Sequence, residues 1–301
     1  MEKRRMLKRT GLMTALAILI AATAAAPQDA TAAVAPSIFD IQYTADPAGD
    51  SPLDGRIIDC AGGIVTHKFA GSRPRLVLYD PANPDGWGGI QVKDNTLPGD
   101  ANHAFGNVQI GDWVSFTNVM VEEYRGTTFL QYDSATSPTF LVESPNNAMP
   151  APITVSPDDI PAPTESPAEF WLVADHAPAP EKYESMIVRI QDVTVSEMDQ
   201  GKALDNYALS NAAGSCWASD YMNEDRSGLE DYHSLVTVGQ HFQGVSGIFE
   251  QYTKIRDTYA WDYYQVLTTS DDSLVVPEPA SICLLLFGGA GLVLRRQRKQ
   301  V

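Results

Sequence analysis

The sequence predicts an all-β protein with two tandem Greek-key β-barrels, flanked by an N-terminal signal helix and a C-terminal apolar helix. Three observations support this fold class. Short runs that alternate apolar and polar residues recur along the chain, and Gly, Pro, Asn and Asp separate them, as in antiparallel sheets. The runs fall into two blocks with the same order of motifs. Neither block contains a convincing amphipathic helix longer than about ten residues.

Residues 1–33 have the three parts of a secretory signal peptide. A basic segment precedes an apolar one, Leu12 to Ile20, and an alanine-rich region follows. Pro27 disfavours cleavage directly after Ala26, so Ala30-Thr31-Ala32 is a competing site. We expect this segment to be removed on export.

The first barrel is predicted over residues 34–143. It begins with an irregular lead-in that contains the turn signals Asp46-Pro47 and Gly49-Asp50. Gly111-Asp112 is typical of a turn that enters a long strand, and Glu123-Tyr124-Arg125-Gly126 of the hairpin that returns from it. The strand-like runs are residues 56–58, 63–66, 75–79, 89–92, 113–121, 127–132 and 139–142.

Residues 144–182 are predicted to be a connector, and residues 183–275 a second barrel. The nine prolines of the connector disfavour regular ladders and helices, so a semi-extended segment is expected. The strand-like runs of the second barrel are residues 186–195, 207–210, 216–218, 241–249 and 263–268.

The two blocks have the pattern of distant repeats. Each begins with an Ile/Val-rich strand and continues into a hairpin. Each then has a turn-led strand that ends in an aromatic residue, Tyr124 in the first block and Tyr252 in the second, and a short closing strand follows. Five short strands with a longer loop before the fourth fit a small Greek-key barrel of the OB type. The sequence therefore predicts two tandem OB-like barrels.

Residues 276–301 have the composition of a membrane-sorting tail. An uncharged apolar run extends from Ala280 to Leu294. It has 15 residues, fewer than the roughly 20 of a comfortable helical span, so length alone also permits a buried helix. Cations after the run would halt it on the cytoplasmic side of a membrane. The turn-forming motif before the run is Pro277, Glu278, Pro279, Ala280 and Ser281, and the cations are Arg295, Arg296, Arg298 and Lys299.

This tail resembles the PEP-CTERM sorting signal of exported bacterial proteins that exosortases process. The resemblance implies an exosortase-like membrane enzyme as a partner and a transmembrane sorting helix that anchors the protein before processing. The final location would be the cell surface or the extracellular matrix. If the helix is removed as in the family, the mature protein does not span a membrane; without processing, the helix would be a simple tail anchor.

The second block also resembles OB-like domains that accompany extracellular nucleases and phosphatases. In that family these domains lie beside a separate catalytic domain, and we expect none here, because the two predicted barrels, the connector and the terminal segments account for residues 1–301. The resemblance implies an alternative function, that of an accessory or degenerate nuclease- or phosphoesterase-associated protein acting on nucleic acid. The segments that carry it are residues 181–190, 238–239, 245–249, 264–267 and 271–272.

The chain is strongly acidic, with 21 Lys and Arg against 38 Asp and Glu and a net charge of −17. Nine of the cations lie in the two terminal segments, so the region between them is more acidic still. It offers no cluster of Lys and Arg for phosphate, which disfavours nucleic acid as a partner. Cys60 and Cys216 are far apart in the sequence, and two buried free thiols are favoured over a disulfide between the barrels.

No motif for catalysis, metal binding or cofactor binding is present in the sequence. The five histidines form no H-x-x-x-H or H-E-x-x-H pattern, and there is no C-x-x-C, G-x-S-x-G or phosphate-binding glycine loop. The acidic loops at residues 80–86 and 220–231 could hold calcium, but the first departs from the EF-hand spacing, and a plain turn and a solvated loop are favoured. We expect no catalytic residue, no metal and no cofactor.

Aromatic residues are the best candidates for a binding surface. Tyr259 and Trp261 lie in a polar loop where a core role explains them least, and Trp217 and Tyr252 complete the candidate set. Most of these rings could instead fill the barrels. Because an OB barrel binds oligosaccharides or oligonucleotides across one face, an acidic barrel suits neutral sugars better than polyanions. The leading hypothesis is a non-enzymatic exported protein that binds polysaccharide, such as an exopolysaccharide of a biofilm matrix, or protein.

Overall fold

The computed structural model describes residues 34–45, 50–71, 73–96, 98–99, 102–161, 164–167, 178–198, 206–223, 234–256 and 259–276. For residues 164–167, 178–179, 254–256 and 259–262 it describes the backbone alone. The signal segment (1–33) and the sorting residues 277–301 lie outside these ranges, so both terminal helices stay predictions. Within the described ranges, no helix is long and apolar enough to cross a membrane. Both barrels belong to one compact unit that begins at Ala35.

Barrel 1 consists of α1 (Ile38–Gln42), β1 (Ile57–Phe69), β2 (Arg75–Tyr79), β3 (Gly89–Asp94), α2 (Ala104–Asn107), β4 (Trp113–Tyr124), β5 (Thr127–Tyr132) and β6 (Thr139–Ser144). Its strands pair in the order β1-β2-β3-β5-β4, and β4 pairs again with β1 to close the barrel. All of these pairings are antiparallel except β3 with β5, which is parallel. β6 extends the sheet beyond β4, after a 3₁₀ turn at Ser134–Thr136.

Barrel 2 consists of β7 (Ile153–Thr154), a 3₁₀ turn (Pro157–Asp159), β8 (Thr164–Pro167), α3 (Pro178–Glu181), β9 (Ile187–Met198), β10 (Asn206–Ser210), β11 (Ser215–Ser219), β12 (His241–Arg256), β13 (Tyr259–Leu267), a 3₁₀ turn (Asp271–Ser273) and β14 (Leu274–Val275). The closed path is β9-β10-β11-β13-β12, and β12 pairs with β9. Again one pairing on this path, β11 with β13, is parallel. β14 pairs with β12 as β6 does with β4.

The two closed five-stranded barrels confirm the predicted all-β fold with tandem OB-like architecture. Both have the same strand order, the same single parallel pair in the closed path, and a short 3₁₀ turn before the added edge strand. Each has its own apolar core, because alternate residues of a strand point to the same side of the sheet. Leu76 and Leu78 fill barrel 1 in this way, and Tyr264 and Val266 fill barrel 2.

The first strand of barrel 1 differs from the prediction of two separate runs at residues 56–58 and 63–66. β1 is one strand of 13 residues, whose first half pairs with β4 and whose second half pairs with β2. Gly62 permits the bend between the halves. It has a φ of +76°, and a Cβ placed there would lie 1.7 Å from the carbonyl oxygen of Val114, so only glycine fits.

Residues 144–182 do more than connect the barrels. β7 pairs with β9 in parallel and β8 pairs with the start of β13, so this segment adds two short strands to the sheet of barrel 2. The lead-in of barrel 1 likewise contains a helix, α1, which the sequence analysis did not predict. Docking on a barrel stabilises these short elements, which would be too short to persist alone.

The two cysteines outside the tail are free and buried, one in each core. Burial raises the pKa of Cys60 and of Cys216 to about 12. A thiol with so high a pKa stays protonated at neutral pH and is a poor nucleophile.

Candidate functional site

The barrels pack against each other through one outward face of each, a contact we call the seam. It joins outward side chains of β2, β3 and β5 to those of β12 and β13. Val77 of β2 is fully buried in an apolar cluster with Ile248 and Leu267 of barrel 2. Beside this cluster, Arg75 Nη1 lies 3.4 Å from Glu250 Oε1. Apolar burial and an ion pair therefore hold the two barrels together.

A chain of hydrogen bonds runs across the seam. Asn206 Nδ2 donates to Gln265 Oε1 at 2.6 Å, and Gln265 Nε2 donates to Glu250 Oε2 at 2.8 Å. Arg75 Nη1 then donates to both Glu250 Oε1 and Gln91 Oε1, at 3.4 and 3.1 Å. Burial raises the pKa of Glu250, and the nearby Arg75 and the bond from Gln265 oppose that shift. The chain gives partners to polar groups that would otherwise be costly to bury, although Arg75 Nε and Gln91 Nε2 have no hydrogen bond to a described residue.

Lys93 of β3 is a second buried cation beside the seam. Its Nζ lies 3.5 Å from the centre of the Phe129 ring, 4.4 Å from that of Tyr124, and 3.5 Å from Glu122 Oε2. Burial lowers the pKa of Lys93 to about 8, and the charge of Glu122 opposes that shift. A cation over aromatic faces is an electrostatically favourable way to bury a lysine.

The turn between β4 and β5 reaches across to barrel 2. Arg125 has a φ of +59°, and its carbonyl accepts the N–H of Thr253 at 2.8 Å. Its guanidinium donates to the Tyr252 hydroxyl at 2.7 Å. A Cβ on the next residue, Gly126, would lie 2.6 Å from Gln251 Nε2. In OB barrels this loop and this face are the usual ligand contacts, and here another barrel occupies them.

The four aromatic residues predicted to bind ligand do not form one open surface in the described residues. Trp217 is only 6% exposed and packs on Tyr263 with ring centres 4.8 Å apart. Tyr252 is half-buried beside the same pair and is bonded to Arg125. Tyr259 and Trp261 belong to β13, but their side chains lie outside the described residues. Ligand binding by these four residues stays a prediction.

An exposed aromatic group lies on barrel 1, and we call it the aromatic platform. It consists of Phe39, Tyr43 and Trp87. Phe39 and Tyr43 stack with ring centres 4.9 Å apart and 12° between their planes. Tyr43 meets Trp87 edge to face at 5.5 Å and 78°. Tyr43 is 45% exposed, and the other two rings are half-buried.

The short helix α1 places two rings of the platform. Ser37 and Asp40 form a capping box, in which the Asp40 carboxylate accepts the Ser37 N–H at 2.9 Å. Ile38 and Ile41 are fully buried in the core of barrel 1. Phe39 and its neighbour four residues later therefore point away from the core and stack, as residues four apart on a helix do.

A polar side chain fixes the end of α1 to both barrels. Gln42 Nε2 donates to the carbonyl of Gly89 at 2.6 Å and to Glu184 Oε1 at 3.0 Å. Glu184 also accepts the N–H of Thr128 at 3.1 Å. Burial, with the negative charges of Glu181 and Glu123, raises the pKa of Glu184 well above its ordinary value.

Trp87 is held in an uncommon backbone conformation. Its φ is +62°, a region that bulky side chains rarely adopt. Its N–H donates to the carbonyl of Lys182 at 2.6 Å, which anchors the loop to the start of barrel 2. Gly88 follows where a Cβ would lie 2.5 Å from the Asn83 carbonyl. The surroundings thus impose a strained conformation on a residue whose ring is part of an exposed group, a combination typical of functional sites.

The loop before Trp87 is the first of the two acidic loops that could hold calcium. Its Asp80 carboxylate accepts the N–H of Ala82 at 2.9 Å and the side-chain amide of Asn83 at 3.0 Å. These bonds describe a turn stabilised by its own aspartate. Among the described residues, no group of three or more His, Cys, Asp or Glu side chains is placed to hold a metal. Most of the second loop lies outside the described residues.

The platform was not found by sequence reasoning. The sequence predicts an irregular segment over residues 35–54, so it gives no reason to place Phe39 and Tyr43 side by side. The signal that could have found them is Ser37-x-x-Asp40 with apolar residues at 38 and 41, which predicts a capped helical turn. The contact with Trp87 depends on the fold and has no local signal.

Comparison with known proteins gives one family match. Residues 275–299 match the PEP-CTERM protein-sorting motif. The match confirms the resemblance found in the tail. This motif implies export, anchoring in the membrane, and processing by an exosortase, which is a membrane enzyme. A comparison with curated proteins finds no match.

Among solved structures, the chain is similar to one described as the crystal structure of fission yeast Pot1 and ssDNA. The identity is 13%, the TM-score is 0.26, and the alignment covers 72% of this chain and 81% of that chain. At this TM-score the likeness carries no weight for function, and the assignment of two OB-like barrels rests on the strand pairings.

Proposed function

We propose that this exported protein is a non-catalytic polysaccharide-binding protein of the cell surface or extracellular matrix. The observation that carries the proposal is the aromatic platform. Stacked, partly exposed rings on a rigid support offer apolar faces to the C–H groups of a sugar, and their orientation costs little entropy on binding. The acidity of the chain favours a neutral polymer over an acidic one.

The position of the platform supports the proposal. The usual ligand face of barrel 1 is covered by barrel 2 at the seam, and Tyr252 and Trp217 are partly or almost wholly buried. The platform lies outside the seam, where Tyr43 is open to solvent. The PEP-CTERM motif implies export, which would bring the platform to polymers outside the cell.

Sedimentation with insoluble polymer tests this proposal. The protein purified after export would be mixed with cellulose, chitin and the matrix polysaccharide of the producing cells. We expect Tyr43→Ala and Trp87→Ala to weaken binding by roughly tenfold, as the loss of an aromatic anchor does. Tyr124→Ala is the matched control, because this tyrosine is 39% exposed but lies beside the seam.

Three results would contradict the proposal. If both platform variants bound polymer as tightly as the unchanged protein, the platform would not be the binding site. Failure to bind any of the three polymers, with capture of a cell-surface protein that depends on Tyr43, would favour a protein ligand. Hydrolysis of DNA or of a phosphoester by the purified protein with divalent metal would overturn the non-catalytic part.

A further inference from the structure

The strand β6 (Thr139–Ser144) forms an open edge of the sheet of barrel 1. It pairs with β4 on one side, and no strand that the structure describes pairs with its other side. Such an edge presents unpaired backbone N–H and C=O groups, which can pair with a strand of another chain. Pro138 and Pro145 flank the strand, so its six residues are free of the proline that would interrupt a ladder.

The other short strands added to the two barrels are less suited to pairing. Within the described ranges, β7 and β14 have two residues each, and β8 has four and ends in Pro167. Short length and proline are usual ways of protecting a sheet edge. The equivalent of β6 in barrel 2 is β14, because it pairs with β12 as β6 does with β4. The two equivalent edges therefore differ, and the one on barrel 1 is long enough to accept a strand.

The side chains of β6 are incompletely covered on both faces of the sheet. Phe140 and Val142 pack on the core of barrel 1 but are only half-buried. Leu141, on the opposite face, is 59% exposed. A strand added beside β6 would cover part of all three side chains, and burial of apolar surface contributes about 25 cal/mol for each Å². A neighbouring strand would thus be stabilised by more than its backbone hydrogen bonds.

The sequence of β6 is complementary to itself in an antiparallel register centred on Leu141. A two-fold axis through this residue places it opposite its own copy, and it places Phe140 opposite Val142 of the second copy. Thr139 then lies opposite Glu143 of the second copy. All five residues from 139 to 143 are paired, and the ladder ends where Pro138 lacks an N–H group. Apolar residues therefore meet apolar residues, and no like charges lie opposite each other.

The charge of Glu143 distinguishes this register from its nearest competitor. With the axis through Leu141, the two copies of Glu143 are four positions apart along the strands, roughly 13 Å, which exceeds the Debye length of about 8 Å at physiological ionic strength. An axis through Val142 would pair as many residues. It would set Glu143 opposite Leu141, however, and bring the two glutamates to within about 7 Å of each other. The register centred on Leu141 avoids both costs.

We infer that β6 is a dimerisation edge, to which a second copy of this chain adds its own β6 in the antiparallel register centred on Leu141. The sheets of the two first barrels then continue into each other across the two-fold axis. Because one pair of strands makes a small interface, we expect a weak dimer, with a Kd on the order of 10–100 µM. The net charge of −17 opposes association, so added salt should strengthen the dimer. The inference goes beyond the proposed function and does not depend on the aromatic platform.

Sedimentation equilibrium of the protein purified after export tests the inference. We expect the average mass to rise from one copy toward two between about 1 and 300 µM protein. Leu141→Lys should raise the Kd by about tenfold or more, because like charges would lie directly opposite each other. Ile57→Lys is the matched control, because Ile57 is 57% exposed and lies on β1, which pairs with the other side of β4. The Kd of this control should stay within about twofold of that of the unchanged protein.

Cysteine cross-linking tests the register. In a chain that also carries Cys283→Ser, the two remaining native cysteines are buried. Leu141→Cys should form a disulfide between copies under mild oxidation, because the Cβ atoms of opposite residues lie about 4.5–5.5 Å apart. Thr139→Cys alone should not, because its copies would be roughly 13 Å apart. A mixture of Thr139→Cys and Glu143→Cys proteins should form the mixed disulfide.

Three results would overturn the inference. The first is an unchanged protein that stays monomeric up to about 300 µM. The second is a dimer that Leu141→Lys leaves intact or that Ile57→Lys weakens equally, since association would then depend on another surface or on net charge alone. The third is efficient cross-linking of Thr139→Cys to its own copy without cross-linking of Leu141→Cys, which would exclude the register centred on Leu141.

Discussion

The same row of outward positions has different chemistry in the two barrels. In each barrel the row crosses the second, third, fifth and fourth strands in turn. Strand pairing within each barrel gives the row Val77, Gln91, Phe129 and Glu122 in barrel 1 and the row Ala208, Trp217, Gln265 and Glu250 in barrel 2. Only the glutamate is common to both. Glu122 pairs with Lys93 of its own barrel, whereas Glu250 pairs with Arg75 of the other.

Because of this difference, the equivalent outward faces of the two barrels can pack against each other in the seam. Barrel 1 supplies cations and an apolar valine to the seam, and barrel 2 supplies a carboxylate, an amide and apolar partners. The two barrels have the same fold, but their faces carry different side chains, and this makes the faces complementary. Since an OB barrel normally meets its ligand on this face, we expect ligand contact to depend on surfaces outside the row.

Placing a charge in the seam should have the largest effect. Val77→Asp would bury a carboxylate among Ile248 and Leu267. We expect a loss of about 4 kcal/mol or more in the free energy of unfolding, measured with urea, because an unpaired buried charge is among the most destabilising changes. Val238→Asp, at a 63% exposed site, should change stability by less than about 0.5 kcal/mol. Equal stability of the two variants would show that the barrels do not depend on the seam.

Removing the charge of Glu250 should have the next largest effect. Glu250→Gln keeps the shape but loses the ion pair with Arg75, and we expect a loss of about 1.5–3 kcal/mol, as for a hydrogen bond to a charged group. Arg75→Met with and without Glu250→Gln forms a double-mutant cycle that measures the coupling. Glu143→Gln is the control, because its carboxylate is exposed and bonded to Ser115. A coupling energy near zero would contradict the role given to the ion pair.

The sequence predicts the two barrels but not the seam that these two variants would test. The barrels could be predicted, because alternation and turn residues are local signals that each strand carries for itself. The seam could not. Arg75, Gln91 and Lys93 alternate with buried residues and therefore have the pattern of a solvated face. The partner of Arg75 is Glu250 of the second barrel, more than a hundred residues later, whereas Lys93 contacts Phe129 of its own barrel. Trp217, one of the four aromatic candidates, belongs to this row, and ligand binding by the four residues stays a prediction.

A change of pH should alter the free energy of unfolding by a smaller amount than these substitutions. We expect glutamates beside the seam to cause that change. Burial, as the largest cause, raises the pKa of Glu123 from 4.5 to about 7, and it also raises that of Glu184, whose Oε2 has no hydrogen bond to a described residue. Between pH 4.5 and about pH 7, Glu123 has lost its proton in the unfolded chain but keeps it in the folded chain. The folded state therefore binds more protons, and stability falls as the pH rises through this window.

Glutamine at these positions should flatten this dependence. From pH 5 to pH 8, we expect the free energy of unfolding to fall less in Glu123→Gln or Glu184→Gln than in the unchanged protein, by roughly 1 kcal/mol or more. The measurement is the fall in Tm between the two pH values, which should be smaller in the variants. Glu143→Gln, on the exposed side of β6, should follow the unchanged protein. A parallel fall in all of the proteins would assign the pH dependence to other groups.

The smallest effect on stability is expected at Trp87, where the ring and the backbone make opposite contributions. Glycine relieves a left-handed conformation that costs a tryptophan about 1–2 kcal/mol. The same change adds freedom to the unfolded chain, at about 0.5–1 kcal/mol, and removes partly buried ring area. We therefore expect Trp87→Gly to change the free energy of unfolding by less than about 1 kcal/mol, while binding to polymer weakens by roughly tenfold, as for Trp87→Ala. Trp217→Ala, in the seam row and almost fully buried, should instead cost about 3–5 kcal/mol. If Trp87→Gly were as destabilising as Trp217→Ala, the half-buried Trp87 ring would have a structural role, and its strained conformation would not indicate a binding site.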